Sequence, residues 1–185
     1  MNTILTTENK TILFIVAHTD DELIFFGSAI MALSPKNRIV VACMSNEREH
    51  AFNKTCKKMG AKEAYCFKAR YFGRNKNEYN NDDPLLLAGK VEQILHLVFP
   101  SIVFTHGING EYGHHYHVLV SKTVSTLTKE SNATLLLKDP SGPISFQANK
   151  TKRDLLVGYD LPKPSSWNKY INAPETYKEV YSGIC

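Results

Sequence analysis

The amino-acid sequence predicts an α/β fold in which helices cover both faces of a mostly parallel β-sheet. Short apolar runs rich in β-branched residues alternate with longer segments of helical periodicity, and no internal repeat interrupts them. The 185 residues, 43% hydrophobic and 22% charged, are typical of one globular unit with an adequate core. We therefore expect a single domain over residues 1–185, with its core at about 11–138.

The first strand, helix and second strand are predicted within residues 11–44. Residues 11–17 (TILFIVA) form an apolar run that is typical of a strand buried on both faces. Residues 20–33 have apolar side chains at helical spacing, and Pro35 just beyond them predicts the end of one helix. The next apolar run, 38–44, is predicted to be the second strand.

A second helix and a third strand follow before a long polar stretch. The helix is predicted at 47–59, and Gly60 is well placed to end it in a left-handed turn. Residues 64–68 are predicted to form a short strand. Residues 69–83 are rich in asparagine and aspartate and are predicted to be a loop.

The pattern resumes after the loop with two more helices and two more strands. Residues 84–99 have a helical apolar period, and Pro100 separates them from a fourth strand at 101–105. A glycine-containing loop leads to a helix at 114–128, and a strand is predicted at 133–138.

The C-terminal segment, residues 139–185, has a weaker pattern. Five of the eight prolines of the chain lie between Pro140 and Pro174. We predict an edge strand at 153–159 and a short helix at 175–181. The segment is expected to cover the sheet, with a contribution to a substrate pocket as the alternative.

Composition excludes several classes of function. The net charge of +4 is mild and no run of Lys or Arg is long enough to predict nucleic-acid binding. The polar N-terminus lacks the apolar core of a secretory signal, and the longest apolar stretches are too short to span a membrane. The four cysteines show no CxxC spacing, so we expect reduced thiols in a cytoplasmic protein.

Two polar clusters occupy equivalent places in the predicted architecture. Residues 17–22 (AHTDDE) follow the first strand, and residues 113–117 (GHHYH) follow the fourth. In open α/β sheets ligands bind outside the carboxyl ends of the strands. Both clusters are therefore expected to converge on one site.

The residue types in these clusters suit metal-assisted hydrolysis. His18 and Asp21 could supply two metal ligands, while His114 and His117, three apart on a helix start, project from one face. One of these two histidines could ligate the metal and the other could face the reacting group. Asp20 is the carboxylate available to take a proton from a metal-bound water.

Simpler interpretations exist for each feature. Acidic residues at a helix start are often only favourable partners of the helix dipole. Isolated histidines are usually structural, which is how we interpret His50, His96 and His106. Neither a GxGxxG nor a GxSxG motif is present, so dinucleotide binding and serine hydrolysis receive no support.

The paired motifs resemble those of the LmbE-like or PIG-L superfamily of zinc-dependent N-acetylglucosamine deacetylases. Its Ala-His-Pro-Asp-Asp-Glu signature is matched at 17–22, except that Thr19 replaces proline, and its His-x-x-His signature is matched by His114 and His117. His115 and Tyr116 replace the Pro-Asp pair common inside that second motif. The sequences at 102–107, 110–113 and 45–47 also look typical of the family.

The resemblance implies a Rossmann-like three-layer sandwich and a set of functional residues. The implied zinc ligands are His18, Asp21 and His117, with Fe²⁺ or Co²⁺ as alternative metals for such a site. Asp20 is the implied general base, and His114 the residue that stabilises the oxyanion and protonates the leaving amine. The candidate substrate-binding residues are Glu47, which matches a sugar-contacting position of some members, Arg48 and Arg70.

The implied activity is removal of the acetyl group from an N-acetylglucosamine-type sugar or glycoconjugate. Two alternatives remain open: a zinc-dependent amidase that acts on a larger amide conjugate, and a non-catalytic carbohydrate-binding relative. A binding protein has no need for two aspartates and three histidines of this kind, which argues against the second alternative. The five residues are His18, Asp20, Asp21, His114 and His117.

Overall fold

The computed structural model describes residues 3–69, 83–159 and 167–181. Arg70, a predicted substrate-binding residue, therefore lies outside the described residues, as does most of the loop predicted at 69–83. Elements are numbered in chain order: β1 Thr11–Val16, α1 Asp21–Ile24, α2 Gly27–Leu33, β2 Arg38–Cys43, α3 Glu49–Lys58, β3 Glu63–Cys66, α4 Pro84–Val98, β4 Ile102–Thr105, α5 His115–Thr128, β5 Thr134–Lys138, β6 Ile144–Phe146, α6 Thr151–Leu156, α7 Asn168–Ile171 and β7 Glu175–Tyr181.

The sheet confirms the predicted α/β class. Its seven described strands are arranged in the order β3-β2-β1-β4-β5-β7-β6. The pairs β1–β2, β1–β4, β2–β3 and β4–β5 are parallel, whereas β7 pairs antiparallel with β5 and β6. Because β1 and β4 are neighbours, their carboxyl ends lie side by side at one edge of the sheet.

Strand β1 shows why two layers of helices are needed. Alternate side chains point to opposite faces of a strand, and every side chain from Ile12 to Val16 is buried. Ile12, Phe14 and Val16 belong to an apolar cluster with α1, α2 and α3, whereas Leu13 and Ile15 belong to a second cluster with α4 and α5. A core therefore lies on each face of the sheet.

The C-terminal segment differs from the prediction in three places. Residues 151–156 are helical (α6), because Lys152, Leu155 and Leu156 are buried at helical spacing. Residues 175–181 form strand β7, in which the buried Glu175 and Tyr177 are two residues apart. The predicted edge strand at 153–159 and helix at 175–181 were thus wrong, and the short strand β6 was not predicted.

The helix predicted at 20–33 is broken into α1 and α2. The Lys152 ammonium donates to the Ile24 carbonyl at the end of α1 (2.9 Å), and both Glu175 carboxylate oxygens accept backbone N–H bonds from the first turn of α2, at Ser28 and Ala29 (2.9 Å each). These contacts satisfy backbone groups that a helix end leaves unpaired. The C-terminal segment therefore stabilises the break.

Replacing Lys152 with methionine is expected to lower the free energy of unfolding by about 3–5 kcal/mol, because the buried Glu175 carboxylate would lose its cationic partner. The two charged atoms are 2.5 Å apart and both side chains are fully buried. The matched control is Lys36→Met, which removes the exposed ion pair with Glu8 and should change stability by less than about 1 kcal/mol. Similar denaturation midpoints for the two variants would contradict this role of Lys152.

Candidate active site

The first polar cluster forms a tight turn between β1 and α1. The Asp21 carboxylate accepts the His18 backbone N–H (2.8 Å), and the Glu22 carboxylate accepts that of Asp20 (3.0 Å). Asp20 has a φ of 130°, an uncommon value for a residue other than glycine. The acidic side chains thus fix the backbone of their own turn and hold Asp20 in this conformation.

The structure brings the three predicted metal ligands together. His18 Nδ1 lies 3.1 Å from His117 Nε2, and Asp21 Oδ2 lies 3.3 Å from each of these nitrogen atoms. Ligands arranged tetrahedrally at zinc-ligand distances are about 3.3 Å apart. The donor types and their spacing therefore fit a divalent cation such as zinc.

Two further histidines border these three side chains. Nitrogen or oxygen atoms within 4.8 Å of one another define two overlapping groups that could hold a metal, one of His18, His114 and His117, the other of Asp21, His106 and His117. His106 accepts the Ala17 backbone N–H at Nε2 (3.0 Å) and contacts Glu111 through Nδ1 (2.9 Å). Both of its nitrogens are engaged, so it packs against the cluster as a hydrogen-bonded structural histidine.

Glu111 contacts two histidines of the cluster, His106 and His117, and was not among the predicted site residues. Its Oε2 lies 2.6 Å from His117 Nδ1 and 2.9 Å from His106 Nδ1, and its Oε1 accepts the Gly107 backbone N–H at 3.3 Å. A carboxylate that is hydrogen-bonded to one ring nitrogen of a histidine orients the second ring nitrogen toward a metal. The only sequence signal for Glu111 was its place in the family-like stretch 110–113.

The electrostatics of the cluster favour positive charge at its centre. Burial disfavours the charged form of Asp21, yet the charge of His117 and hydrogen bonds from the histidines hold the pKa of Asp21 well below its usual value. Burial also opposes a charged His117, but Asp21 and Glu111 raise the pKa of His117 to about 10. The pKa of the buried Glu111 is likewise lowered by His106 and His117.

Asp20 lies next to this cluster, and Arg48 is its cationic partner within the described part of the chain. Arg48 Nη1 is 3.4 Å from Asp20 Oδ2 and also reaches the Thr19 carbonyl at 3.5 Å. Burial, and then the charges of Asp21 and Glu22, raise the pKa of Asp20 to about 9. A cation held beside Asp20 would oppose this rise and favour the carboxylate.

His114 is the N-cap residue of helix α5 and is neutral near pH 7. Its Nδ1 accepts the Tyr116 backbone N–H (3.3 Å), so the ring hydrogen is on Nε2. Burial, and then the nearby His18 and His117, lower the pKa of His114 to about 3. The neutral ring can therefore donate a hydrogen bond from Nε2, and the predicted role of His114 stays a prediction.

The three predicted substrate-binding residues have different outcomes. Arg48 reaches Asp20 and therefore borders the site. Glu47 is exposed in the segment between β2 and α3, and its negative charge contributes to the raised pKa of Asp20. Arg70 lies outside the described residues. These substrate-binding roles stay predictions.

Thr19, which stands where the family has proline, carries a buried hydroxyl that lacks a hydrogen-bond partner among the described residues. We expect Thr19→Val to raise the free energy of unfolding by about 1 kcal/mol, because an unpaired buried hydroxyl is destabilising. In the control, Thr128→Val, the lost hydroxyl donates to the Val124 carbonyl (2.7 Å), so stability should fall. Urea denaturation measures both, and equal losses would contradict the expectation.

Glu111→Gln is expected to weaken metal binding by about 10- to 100-fold, because it removes the negative charge behind His117. Competition with a metal chelator of known affinity measures the change. Glu130→Gln serves as the control, since Glu130 is exposed in the turn just after the C-terminal end of α5. Unchanged affinity in the Glu111 variant would show that this carboxylate does not support the metal centre.

Residues 13–128, more than half of the chain, match the family model described as PIG-L, GlcNAc-PI de-N-acetylase. The chain belongs to the PIG-L family. The matched PIG-L region runs from β1 to the end of α5 and contains both polar clusters.

The chain is also similar to other known proteins. An uncharacterized protein of Acanthamoeba polyphaga mimivirus is 30% identical over 131 residues, which are 60% of this chain and 54% of that protein. The chain thus spans about half the length of this curated relative.

Two solved deacetylases have the same fold. The deacetylase of the antimicrobial reagent A40926 pseudoaglycone has a TM-score of 0.70 and 14% sequence identity. The match covers 97% of this chain and 100% of that chain.

The second structure is the N,N'-diacetylchitobiose deacetylase from Pyrococcus horikoshii. It has a TM-score of 0.67 and 15% identity, with coverage of 92% of this chain and 84% of that chain. At such identities the likeness establishes the fold.

No helix within residues 3–69, 83–159 and 167–181 has both the length and the apolar character needed to cross a membrane.

Proposed function

We propose that this protein is a metal-dependent hydrolase that removes the acetyl group from an N-acetylated sugar, with a divalent cation held by His18, Asp21 and His117. The observation that carries the proposal is the spacing of 3.1–3.3 Å among their three donor atoms at the carboxyl ends of β1 and β4. Membership of the PIG-L family supports the deacetylase class.

The donor set favours zinc among the metals of the cell. Two imidazole nitrogens and one carboxylate oxygen suit zinc, with Fe²⁺ and Co²⁺ as alternatives for the same ligands. When bound, such a cation supplies a Lewis acid and a water molecule of lowered pKa. Asp21 and His117 are almost fully buried, which fixes their donor atoms and limits competing hydrogen bonds from bulk water.

Asp20 is the residue that we propose as general base. It lies next in sequence to the ligand Asp21, and its carboxylate contacts Arg48, whereas the carboxylates of Asp21 and Glu22 accept backbone N–H bonds within the turn. Arg48 stabilises its ionised form from the outer side. An Asp20 carboxylate so placed accepts the proton of the attacking water and holds it for transfer to the amine that leaves.

His114 is proposed to stabilise the acetyl oxygen as negative charge develops on it. Its ring centroid is 4.7 Å from those of both His18 and His117. His114 therefore borders the ligand cluster, which consists of His18, Asp21 and His117. The hydrogen bond from the Tyr116 N–H fixes the ring and leaves Nε2–H as a donor. A preorganised donor of this kind is most effective where water is excluded.

An N-acetylglucosamine-type sugar is the proposed substrate because of the family description and the deacetylases of similar fold. Arg48, Glu47 and Arg70 remain the proposed contacts for sugar hydroxyls. Arg48 Nη1 sits at the edge of the cluster, where a guanidinium can reach both Asp20 and a bound sugar.

Product analysis tests this proposal. Zinc-loaded protein is incubated with N-acetylglucosamine, N,N'-diacetylchitobiose and a larger acyl-amide of glucosamine, and the released acids are identified by chromatography. Release of acetate with a free amine supports the deacetylase. Cleavage of the larger amide alone would identify an amidase, and saturable sugar binding without any cleavage would identify a carbohydrate-binding protein.

A further inference from the structure

Two aromatic residues of the C-terminal segment lie beside the ligand cluster, although they are outside residues 13–128 that match the family. Tyr112 contacts the ligand His117, with ring centroids 5.3 Å apart. On its other side Tyr112 contacts Trp167 at 6.0 Å and Tyr170 at 6.3 Å. A continuous set of rings thus leads outward from the cluster to the C-terminal segment.

Within residues 3–69, 83–159 and 167–181, neither Trp167 Nε1 nor Tyr170 Oη makes a hydrogen bond. The buried tyrosines differ, since Tyr177 donates to the Phe25 carbonyl at 2.9 Å and Tyr159 donates to Glu22. Buried Tyr and Trp polar groups usually have a partner. The free groups of Trp167 and Tyr170 are therefore available to a ligand.

Packing holds the two rings in place while leaving part of each open. Tyr170 makes an edge contact with the buried Phe25, at 5.0 Å and an interplanar angle of 71°. The centroids of Trp167 and Tyr170 are 6.2 Å apart, and both side chains are only half-buried. Rings already fixed by packing lose little conformational entropy when a ligand binds.

Tyr170 also borders a cavity of about 570 Å³, within the range of small-molecule sites. The cavity opens between the loop after β4, the end of β5 and the segment before β7, so it is at the same edge of the sheet as the ligand cluster. Glu111 belongs to both. The Lys169 ammonium lies 4.7 Å from the Tyr170 ring centroid and adds a hydrogen-bond donor at the rim.

These features together suit a sugar ring. A pyranose has a C–H face that packs on aromatic rings and an edge of hydroxyls that pair with N–H and O–H groups. We propose that Trp167 and Tyr170 form a subsite for the sugar residue attached to the acetylated one, with the adjoining cavity receiving its far side. This inference rests on the proposed function, which places the acetylated sugar at the ligand cluster.

Binding measurements test the subsite directly, because Trp167 is the single tryptophan of the chain. Metal-loaded Asp20→Asn protein is titrated with N-acetylglucosamine and with N,N'-diacetylchitobiose while tryptophan fluorescence is recorded. We expect the disaccharide to bind about tenfold more tightly and to change the fluorescence more. Equal affinities for the two sugars would overturn the proposal.

Tyr170→Ala is expected to weaken disaccharide binding about tenfold and to leave monosaccharide binding unchanged. Tyr170→Phe keeps the ring and should recover most of the loss, while Tyr65→Ala, on the distant strand β3, should have no effect. Equal losses for both sugars would identify Tyr170 as a packing residue and overturn the subsite.

Turnover provides the second readout. Trp167→Ala should raise KM for the disaccharide about tenfold, with kcat and the monosaccharide KM unchanged. If neither sugar releases acetate but disaccharide binding still depends on Tyr170, the proposed function fails and the subsite stands. If acetate is released and the variants do not distinguish the two sugars, the subsite fails and the proposed function stands.

Discussion

Replacing His117 with alanine is expected to abolish stoichiometric metal binding and to lower kcat/KM by more than about 100-fold. Loss of a residue that supports a metal ligand costs about 10- to 100-fold, and loss of the ligand itself should exceed that. His117 is central because its Nε2 is 3.1 Å from His18 Nδ1 and 3.3 Å from Asp21 Oδ2. Metal content by mass spectrometry and acetate release measure the two effects.

Two further variants separate a lost ligand from a lost fold. His18→Ala removes a proposed ligand whose side chain is partly exposed (17%), so it should lose metal with little loss of stability. His96→Ala changes an exposed histidine of α4 and should retain both metal and activity. A His117→Ala protein that folds and keeps one metal ion per chain would contradict the assigned ligand.

Asp20→Asn is expected to lower kcat by about 10²- to 10⁴-fold while metal content stays at the wild-type level, since the change removes a general base and keeps the shape of the side chain. The ligand cluster does not require Asp20, because the three predicted donor atoms come from other residues. Steady-state acetate release and metal analysis on the same preparation measure this split.

The control for Asp20 is Asp154→Asn, which changes an exposed carboxylate on α6 and should leave kcat unchanged. Near-normal turnover by Asp20→Asn would reject Asp20 as the base. Loss of metal together with turnover would assign it to the ligand set instead.

The central strands and the two polar clusters could be predicted because the signals are local. The buried run at 11–17 and the alternation with helices follow from side-chain periodicity within short windows, and the structure confirms the sheet that they imply. His18 and His117 could be paired because each follows a strand end, and parallel neighbouring strands bring those ends together.

Long-range contacts explain what the sequence left out. The break between α1 and α2 depends on Lys152 and Glu175, which are more than 100 residues away along the chain. Glu111 and His106 gain their positions only when the loop after β4 folds against α5. No periodicity in a short window contains that information.

The C-terminal segment is the clearest case. Its α6 and β7 were predicted with the opposite secondary structure, because short elements there depend on packing against α1, α2 and β5 more than on their own propensity. In the folded chain the same segment caps α2 through Glu175 and places Trp167 and Tyr170 beside the site.

Metal dependence of acetate release tests the central claim most directly. Protein is stripped of metal with a chelator, its acetate release from N,N'-diacetylchitobiose is measured, and zinc, cobalt(II) or iron(II) is then added in steps up to one equivalent per chain. We expect activity to vanish on stripping, to return in proportion to bound metal, and to stay absent in His117→Ala. Acetate release that is unchanged by stripping would contradict a metal centre at His18, Asp21 and His117.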